Sequence, residues 1–169
     1  MRNLFAVCSE KMKHMEETLE RELLRGSRKG LPLGVIIIDV DDFKRFNDTF
    51  GPAAGDAILC GVGSLLLGHV RGEDIPCRYG GDEFIIVLFD TSLEVTAERA
   101  QCLCKHVQHL HTPYEGQTLA AVSLSVGITV FPEHDSTSAI LLKAVDEALY
   151  RAKRQGRGRI VVADSKCYS

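Results

Sequence analysis

The 169-residue sequence contains no tryptophan, only five prolines, and no apolar run of the length a membrane span demands. Its longest such runs, Val35 to Ile38 and Ile85 to Phe89, fall far short of the roughly 20 residues a transmembrane helix needs. The segment after Met1 lacks the apolar centre of a secretory signal, so the reading is a cytoplasmic chain without membrane insertion. Charge of one sign is also missing: 20 Lys and Arg stand against 23 Asp and Glu, a formal net charge of −3. That balance leaves no broad positive field for a nucleic acid polymer or an anionic membrane, so any phosphate has to be gripped by a few local cations. Six cysteines are present but no C-x-x-C pair, and most lie in apolar or helical stretches, as reduced thiols do. Only Cys102, Cys104 and His106 crowd together. On a helix Cys102 and His106 share a face while Cys104 points elsewhere, which leaves a zinc site two ligands short.

What is present is the composition of one ordinary globular domain, 45% hydrophobic and 25% charged. A chain of this size buries enough surface to fold without disulfides or a structural metal. Met12, Met15, Leu19 and Leu23 recur at three- and four-residue steps and predict an amphipathic helix over 11–29, ended by Gly30 and Pro32. Leu33 to Ile38 is apolar without alternation, the pattern of a central strand covered on both faces, and it runs into Asp39. Phe43 to Phe50 reads as a short helical or looped piece, and Ile58, Leu59, Val62, Leu65 and Leu66 mark a helix from Ala53 to about His69. Two β-prone runs, Ile75 to Tyr79 and Glu83 to Phe89, flank Gly80-Gly81-Asp82 as a hairpin. A helix over 93–110 follows, then a strand pair made of 113–115 and a continuous run over 118–131. The last helix starts at the Ser136-Thr137-Ser138 cap and ends at Gly156, before a strand over 160–163. This order predicts an α+β fold, a mostly antiparallel sheet with helices on its faces, and no internal repeat is visible.

If the strands ending at Asp39 and starting at Glu83 are antiparallel neighbours, Asp39, Asp82 and Glu83 gather at one sheet edge. Three such carboxylates repel one another unless a cation neutralises them, and hard oxygen donors favour Mg²⁺ or Mn²⁺. The same acids also fit a plain solvated turn.

Arg78-Tyr79-Gly80-Gly81-Asp82-Glu83-Phe84 resembles the signature of the GGDEF domains, the diguanylate cyclases. Asp39-Val40-Asp41-Asp42-Phe43-Lys44-Arg45-Phe46-Asn47-Asp48, Gly51 and Gly55-Asp56 are similar to the family's first block. Asp146-Glu147-Ala148-Leu149-Tyr150-Arg151-Ala152-Lys153 with Gly156-Arg157 resembles its last-helix block, and Ser125-Val126-Gly127 fits between. The resemblance runs in family order over about residues 15 to 163. It implies a palm-like sheet that condenses two GTP into cyclic di-GMP, a bacterial second messenger, with release of two pyrophosphates. It further implies metal ligation by Asp39, the Val40 carbonyl, Asp82 and Glu83, with Mg²⁺ or Mn²⁺ as the ion. Asn47 and Asp56 become readers of guanine, whose N1–H and N2–H₂ suit a carboxylate acceptor. Lys44, Lys153 and Arg157 become cations for the phosphates, Arg78 an aid to the transition state, and Glu83 either a ligand or the base for the attacking 3′-hydroxyl. Without the family, Lys153 and Arg157 are ordinary helix-end charges and Asp56 a helix cap.

Arg71-Gly72-Glu73-Asp74 matches the family's R-x-x-D product-inhibition site, where Arg71 forks onto phosphate and Asp74 accepts from the base. Residues 1–14 carry at most a trace of the family's usual wedge, Arg2-Asn3-Leu4, and read as a link to a regulatory region, with the domain itself over 15–169. A catalytically silent cyclic di-GMP receptor is the competing expectation. Such receptors usually lose the signature acids, and Asp39, Asp82 and Glu83 all stand here. A palm-type polymerase fragment would need a template-binding basic face that the net charge does not offer. One copy of each motif implies one GTP site per chain, so the resemblance implies a transient two-fold homodimer.

Overall fold

The structure, a computed structural model, describes residues 9–165. The Arg2-Asn3-Leu4 trace and Cys8 and Cys167 lie outside the described residues.

Strand β1 (Leu33–Val40) organises the molecule because every one of its residues is buried. Ile36, Ile38 and Val40 enter one apolar cluster, with Ile58, Leu59, Val62 and Leu66 of helix α3 (Pro52–Gly68) and Ala100, Leu103 and Val107 of α4 (Leu93–Gln108). Leu33, Val35 and Ile37 enter a second cluster, with Met15, Leu19 and Leu23 of α1 (Ser9–Lys29) and Leu141, Val145 and Leu149 of α5 (Ser138–Arg154). The strand's alternation thus feeds two cores, and helices cover both faces of the sheet. Each buried isoleucine contributes roughly 1.5–3 kcal/mol, which is why this run shows no polar residue before Asp39.

The remaining elements are α2 (Phe43–Phe50), β2 (Ile75–Arg78), β3 (Glu83–Phe89), β4 (Thr112–Tyr114), β5 (Gln117–Leu119), β6 (Leu124–Phe131) and β7 (Ile160–Val162). The five-stranded sheet has the order β2-β3-β1-β6-β7; its pairings are antiparallel except β6 with β7. The expected α+β, mostly antiparallel class is what the structure has.

Two features go beyond small shifts of element ends. Helix α1 is already present at Ser9, the first described residue, and passes through residue 14 without a break. The β-prone run over 118–131 is two strands: β5 pairs with β4 in a separate two-stranded sheet, whereas β6 pairs with β1. The chain changes sheets across 120–123, where the Ser123 carbonyl accepts from Asp41 N–H at 2.9 Å. Propensity alone sees no partner exchange.

Thr137 caps α5, its side-chain oxygen accepting from Ile140 N–H. In β6, a Cβ at Gly127 would run into the Val145 carbonyl and the Leu149 amide. Glycine there lets α5 sit close on the sheet, which brings the helix's far end to the acidic strand ends.

Candidate active site

Asp39 lies directly opposite Glu83 in the β1–β3 register, so both side chains leave the sheet on the face that carries α5. Asp82 precedes β3 in the turn, and its carbonyl accepts from Val40 N–H at 3.1 Å. Strand alternation therefore does not bind Asp82, and both acids of the signature reach the same hollow. From α5, Lys153 places its Nζ 2.7 Å from Asp39 Oδ2 and 3.7 Å from Glu83 Oε1. These groups share a cavity of about 610 Å³ lined by Asp39, Val40, Lys44, Asp82, Glu83, Lys153 and Arg157, together with the α2-side residues Asp42, Phe43, Arg45 and Asp48.

The electrostatics are those of crowded acids around a cation. Burial is the main force pushing the Asp39 carboxyl up to about 6; the Lys153 hydrogen bond opposes it, and the charges of Asp82 and Glu83 add to it. Burial by itself would lower the Lys153 ammonium, but its bond to Asp39 and the charges of Asp39, Glu83 and Asp82 outweigh that and raise it. An all-oxygen donor set whose buried member resists ionisation is what a hard divalent cation relieves.

The family model for the diguanylate cyclase GGDEF domain matches residues 12–159. The chain belongs to the GGDEF family. It is 43% identical over 141 residues to the diguanylate cyclase DosC of Escherichia coli, covering 83% of this chain and 30% of that protein. To the response regulator PleD of Caulobacter vibrioides it is 35% identical over 150 residues, covering 88% of this chain and 33% of PleD. The chain thus spans about a third of the length of these relatives. Among solved structures, the GGDEF domain of PA1120 from Pseudomonas aeruginosa superposes with a TM-score of 0.83 at 35% identity, covering 91% of this chain and 96% of that one. The GGDEF domain of DgcB from Caulobacter crescentus, solved in complex with c-di-GMP, has a TM-score of 0.83 at 26% identity, each chain 90% covered.

Within this GGDEF domain, not every residue singled out from the sequence reaches the cavity. Asn47 and Asp56 do not line it. Asn47 lies on α2 against Gly55 of α3, where a Cβ at residue 55 would collide with its Oδ1 and crowd Phe43. That Oδ1 is buried and has no partner among the described residues. Asp56 follows Gly55 and is exposed.

Arg78 is not a lining residue either. Its guanidinium donates to the carbonyls of Gly80 and Gly81, the first at 3.3 Å, and so fixes the signature turn from outside the cavity. Of the two expectations for Arg78, transition-state aid or a structural pairing, the bonds within the described residues are structural and tie the fork to the turn carbonyls.

Asp74 is buried beside the turn it closes. Its side chain has 0% exposure, and Oδ2 accepts from Arg71 N–H at 2.8 Å and from Arg99 Nη2 at 2.7 Å. The carboxylate holds the 71–74 turn together, with only Oδ1 lacking a partner among the described residues. Arg71 itself is exposed and lines a separate cavity of about 500 Å³ with Arg21, Arg25 and Glu73.

Asp41 is the residue that sequence reasoning passed over. Buried, it accepts from Ser123 Oγ and Ser125 Oγ, both at 2.6 Å, and from Gly158 N–H at 2.9 Å. It ties the acidic loop to β6 and to the turn that carries Arg157, whose Nε stands 3.6 Å from Asp42. The available signal was its position: two residues after Asp39, past the last strand pair, beside a serine-bearing strand.

Proposed function

We propose that this chain is a diguanylate cyclase that condenses two GTP into cyclic di-GMP and releases two pyrophosphates. The observation that carries the reading is the Asp39–Glu83 pairing, which puts two acids and Asp82 in one cavity with Lys44, Lys153 and Arg157, in a chain of the GGDEF family. Asp39, Asp82, Glu83 and the Val40 carbonyl would hold Mg²⁺ or Mn²⁺. When bound, that ion supplies charge neutralisation at the phosphates and acidifies a coordinated hydroxyl.

The protein's own groups do the rest. Lys153, Lys44 and Arg157, which line the same cavity, would present their cations to the phosphates. Glu83, held on the α5 face beside Asp39, is placed to take the 3′-hydroxyl proton or to share the metal. Asn47 and Asp56 read the guanine edge: the unpartnered Asn47 Oδ1 has a free acceptor, and a carboxylate leaves adenine unpaired.

Arg71 and Asp74 form the inhibitory product site, with the Arg71 fork on phosphate and Asp74 Oδ1 as the remaining acceptor for the base. The likeness to the DgcB domain crystallised with c-di-GMP supports a product site somewhere on this fold.

The test is incubation with GTP and Mg²⁺, followed by chromatography for cyclic di-GMP and pyrophosphate, with Asp82→Ala as control. Product in the wild type and a loss of roughly 10²–10³ in rate in the variant, the scale for one transition-state contact, bear the reading out. Wild-type protein that turns over no GTP yet binds cyclic di-GMP is a receptor and overturns it. Arg71→Ala should raise final yield without raising initial rate; equal inhibition of both proteins by added cyclic di-GMP removes Arg71 from the product site.

A further inference from the structure

Outside the carboxylate cavity, the C-terminus of α3 meets the C-terminal half of α4 in a cluster of His69, Cys102 and His106 whose ligand atoms all lie within 4.8 Å of one another. The sequence shows only the i,i+4 pair Cys102 and His106. The third member comes from 37 residues upstream of His106, on another helix.

His69 caps α3, and its backbone is pinned on both sides: its N–H donates to the Leu66 carbonyl, and its own carbonyl accepts from Arg99 Nη2 at 2.9 Å. The ring is pinned as well, since Nδ1 sits 2.8 Å from the Leu65 carbonyl. A carbonyl only accepts, so Nδ1 carries the proton and Nε2 of the neutral ring presents a bare lone pair. That lone pair points at His106 Nδ1, 3.1 Å away, and Cys102 Sγ stands 3.3 Å from the same nitrogen.

Without an ion the two rings are joined by one hydrogen bond, His106 Nδ1–H to His69 Nε2 at 3.1 Å, and the Cys102 thiol, 3.3 Å from the same nitrogen, finds no lone pair left to accept its proton there. With the thiol ionised, three donor atoms within 4.8 Å of one another can close on one cation. A tetrahedral zinc with ordinary Zn–N and Zn–S bonds separates two nitrogens by about 3.3 Å and a nitrogen from a sulfur by about 3.6 Å; the two short edges, 3.1 and 3.3 Å, open by a few tenths of an ångström to reach this, and the third lies within 4.8 Å. A carbonyl holding the second nitrogen of a ligand histidine is the usual outer support of such a site.

We propose that His69 Nε2, His106 Nδ1 and Cys102 Sγ form a binding site for a borderline-soft divalent ion, Zn²⁺, with its fourth position open to water. Imidazole and thiolate donors select this class over Mg²⁺, so the ion is separate from any held by the carboxylate cavity. His69 and Cys102 are half-buried and His106 is exposed, so the ion has a direct path in. Cys104 packs against the core and takes no part. The ion would fasten α3 to α4, and through Arg99, which bonds both the His69 carbonyl and Asp74, it would fasten the 71–74 turn.

The full chain, reduced and in excess Mg²⁺ to fill the carboxylate cavity, is titrated with Co²⁺ as a spectroscopic stand-in and then with Zn²⁺. One equivalent of Co²⁺ should give the near-ultraviolet thiolate charge-transfer band and the visible bands of a four-coordinate ion, and Zn²⁺ should abolish both. Cys102→Ser should lose the charge-transfer band while its other thiols remain. His69→Gln and His106→Gln should weaken binding by at least the roughly 10–100-fold that loss of an outer-shell partner costs. All three substitutions are at accessible positions, and metal-free melting curves matching the wild type establish that the variants are folded. A wild type without the charge-transfer band, or wild-type titration in Cys102→Ser or either His variant, overturns the site. A Zn²⁺-induced rise in melting temperature that is equal in wild type and Cys102→Ser overturns it as well.

Discussion

Asp39 is held at a cost in the metal-free protein, because it is a nearly buried carboxylate facing two others. Its carboxyl is raised from 3.8 to about 6 by burial first, with Asp82 and Glu83 adding and Lys153 opposing. The folded state therefore binds this proton more tightly than the unfolded chain does. Stability is fully present below about pH 4 and is lost as pH rises through 6, after which the deficit stays constant, on the order of 3 kcal/mol. Asp39→Asn removes the titration. Its melting temperature in the absence of metal should match the wild type at pH 4 and exceed it at pH 8, and scanning calorimetry at the two pH values reads this. Adding Mg²⁺ at pH 8 should raise the wild type and leave the variant nearly unmoved. A variant that is less stable than wild type at pH 8 would show that the Lys153 ion pair, not the burial, dominates the site. At the same scale, Lys153 reads as a helix-end charge only when the family resemblance is set aside, and the tertiary approach of α5 to β1 is what turns it toward Asp39.

The elements show why some of this was legible and some was not. The all-apolar run before Asp39 has one good explanation, a strand with helices on both faces, and the two clusters fed by β1 are that explanation. The glycine turn between β-prone runs likewise gave the β2–β3 hairpin, and the expected juxtaposition of Asp39 and Glu83 followed once β1 paired with β3. What stayed hidden depends on contacts distant in the chain. The break inside 118–131 reflects an exchange of pairing partners, and His69 meets Cys102 and His106 only because α3 and α4 pack side by side. Asp41 belongs to the same class, since its three donors lie 82 to 117 residues away. Asp41→Ala leaves a buried serine hydroxyl, a second hydroxyl and a backbone N–H without their acceptor. The expected loss is on the order of 3 kcal/mol, or roughly 6–12 °C in melting temperature for a domain of this size. Cyclase activity should fall further than stability accounts for, because the turn bearing Arg157 loses its tether; activity that survives at temperatures where the variant is fully folded would remove Asp41 from positioning. Gly55 tests the contact between α2 and α3 in the same way. Alanine favours a helix by roughly 0.5–1 kcal/mol over glycine, yet at residue 55 its methyl displaces Asn47 and presses on Phe43. Gly55→Ala should raise the KM for GTP without helping stability, and an unchanged KM would take Asn47 out of base recognition.

At the scale of the whole molecule the constraint is stoichiometry. The described residues contain one carboxylate cavity with one set of cations, whereas the proposed product has two 3′,5′ linkages, each formed by one nucleotide attacking the other. One cavity holding one GTP cannot make both. Two copies facing across a two-fold axis can, since each presents its nucleotide to the other and both bonds form by the same chemistry. Among the described residues the large exposed hydrophobics, Leu24, Phe50, Val95, Ile140 and Tyr150, are spread over four helices and reserve no strong apolar surface for that encounter. The stripe on α1 that offers the obvious candidate, Met15, Leu19 and Leu23, is buried in the domain's own core, and Leu24, at 61% exposure, stands beside it alone. A lone exposed leucine does not make an interface. The productive dimer of this chain should therefore be transient. At low micromolar protein the initial rate should climb faster than linearly, toward the square of concentration, and a coiled-coil dimer fused before α1 should raise it at fixed concentration by supplying effective molarity. Specific activity that is constant over a hundredfold dilution would contradict this. Sedimentation of the same samples then assigns the cause: a dimer at every concentration means a tight interface that the fold does not advertise, whereas a monomer at every concentration means that one chain completes the reaction and the single-site argument fails.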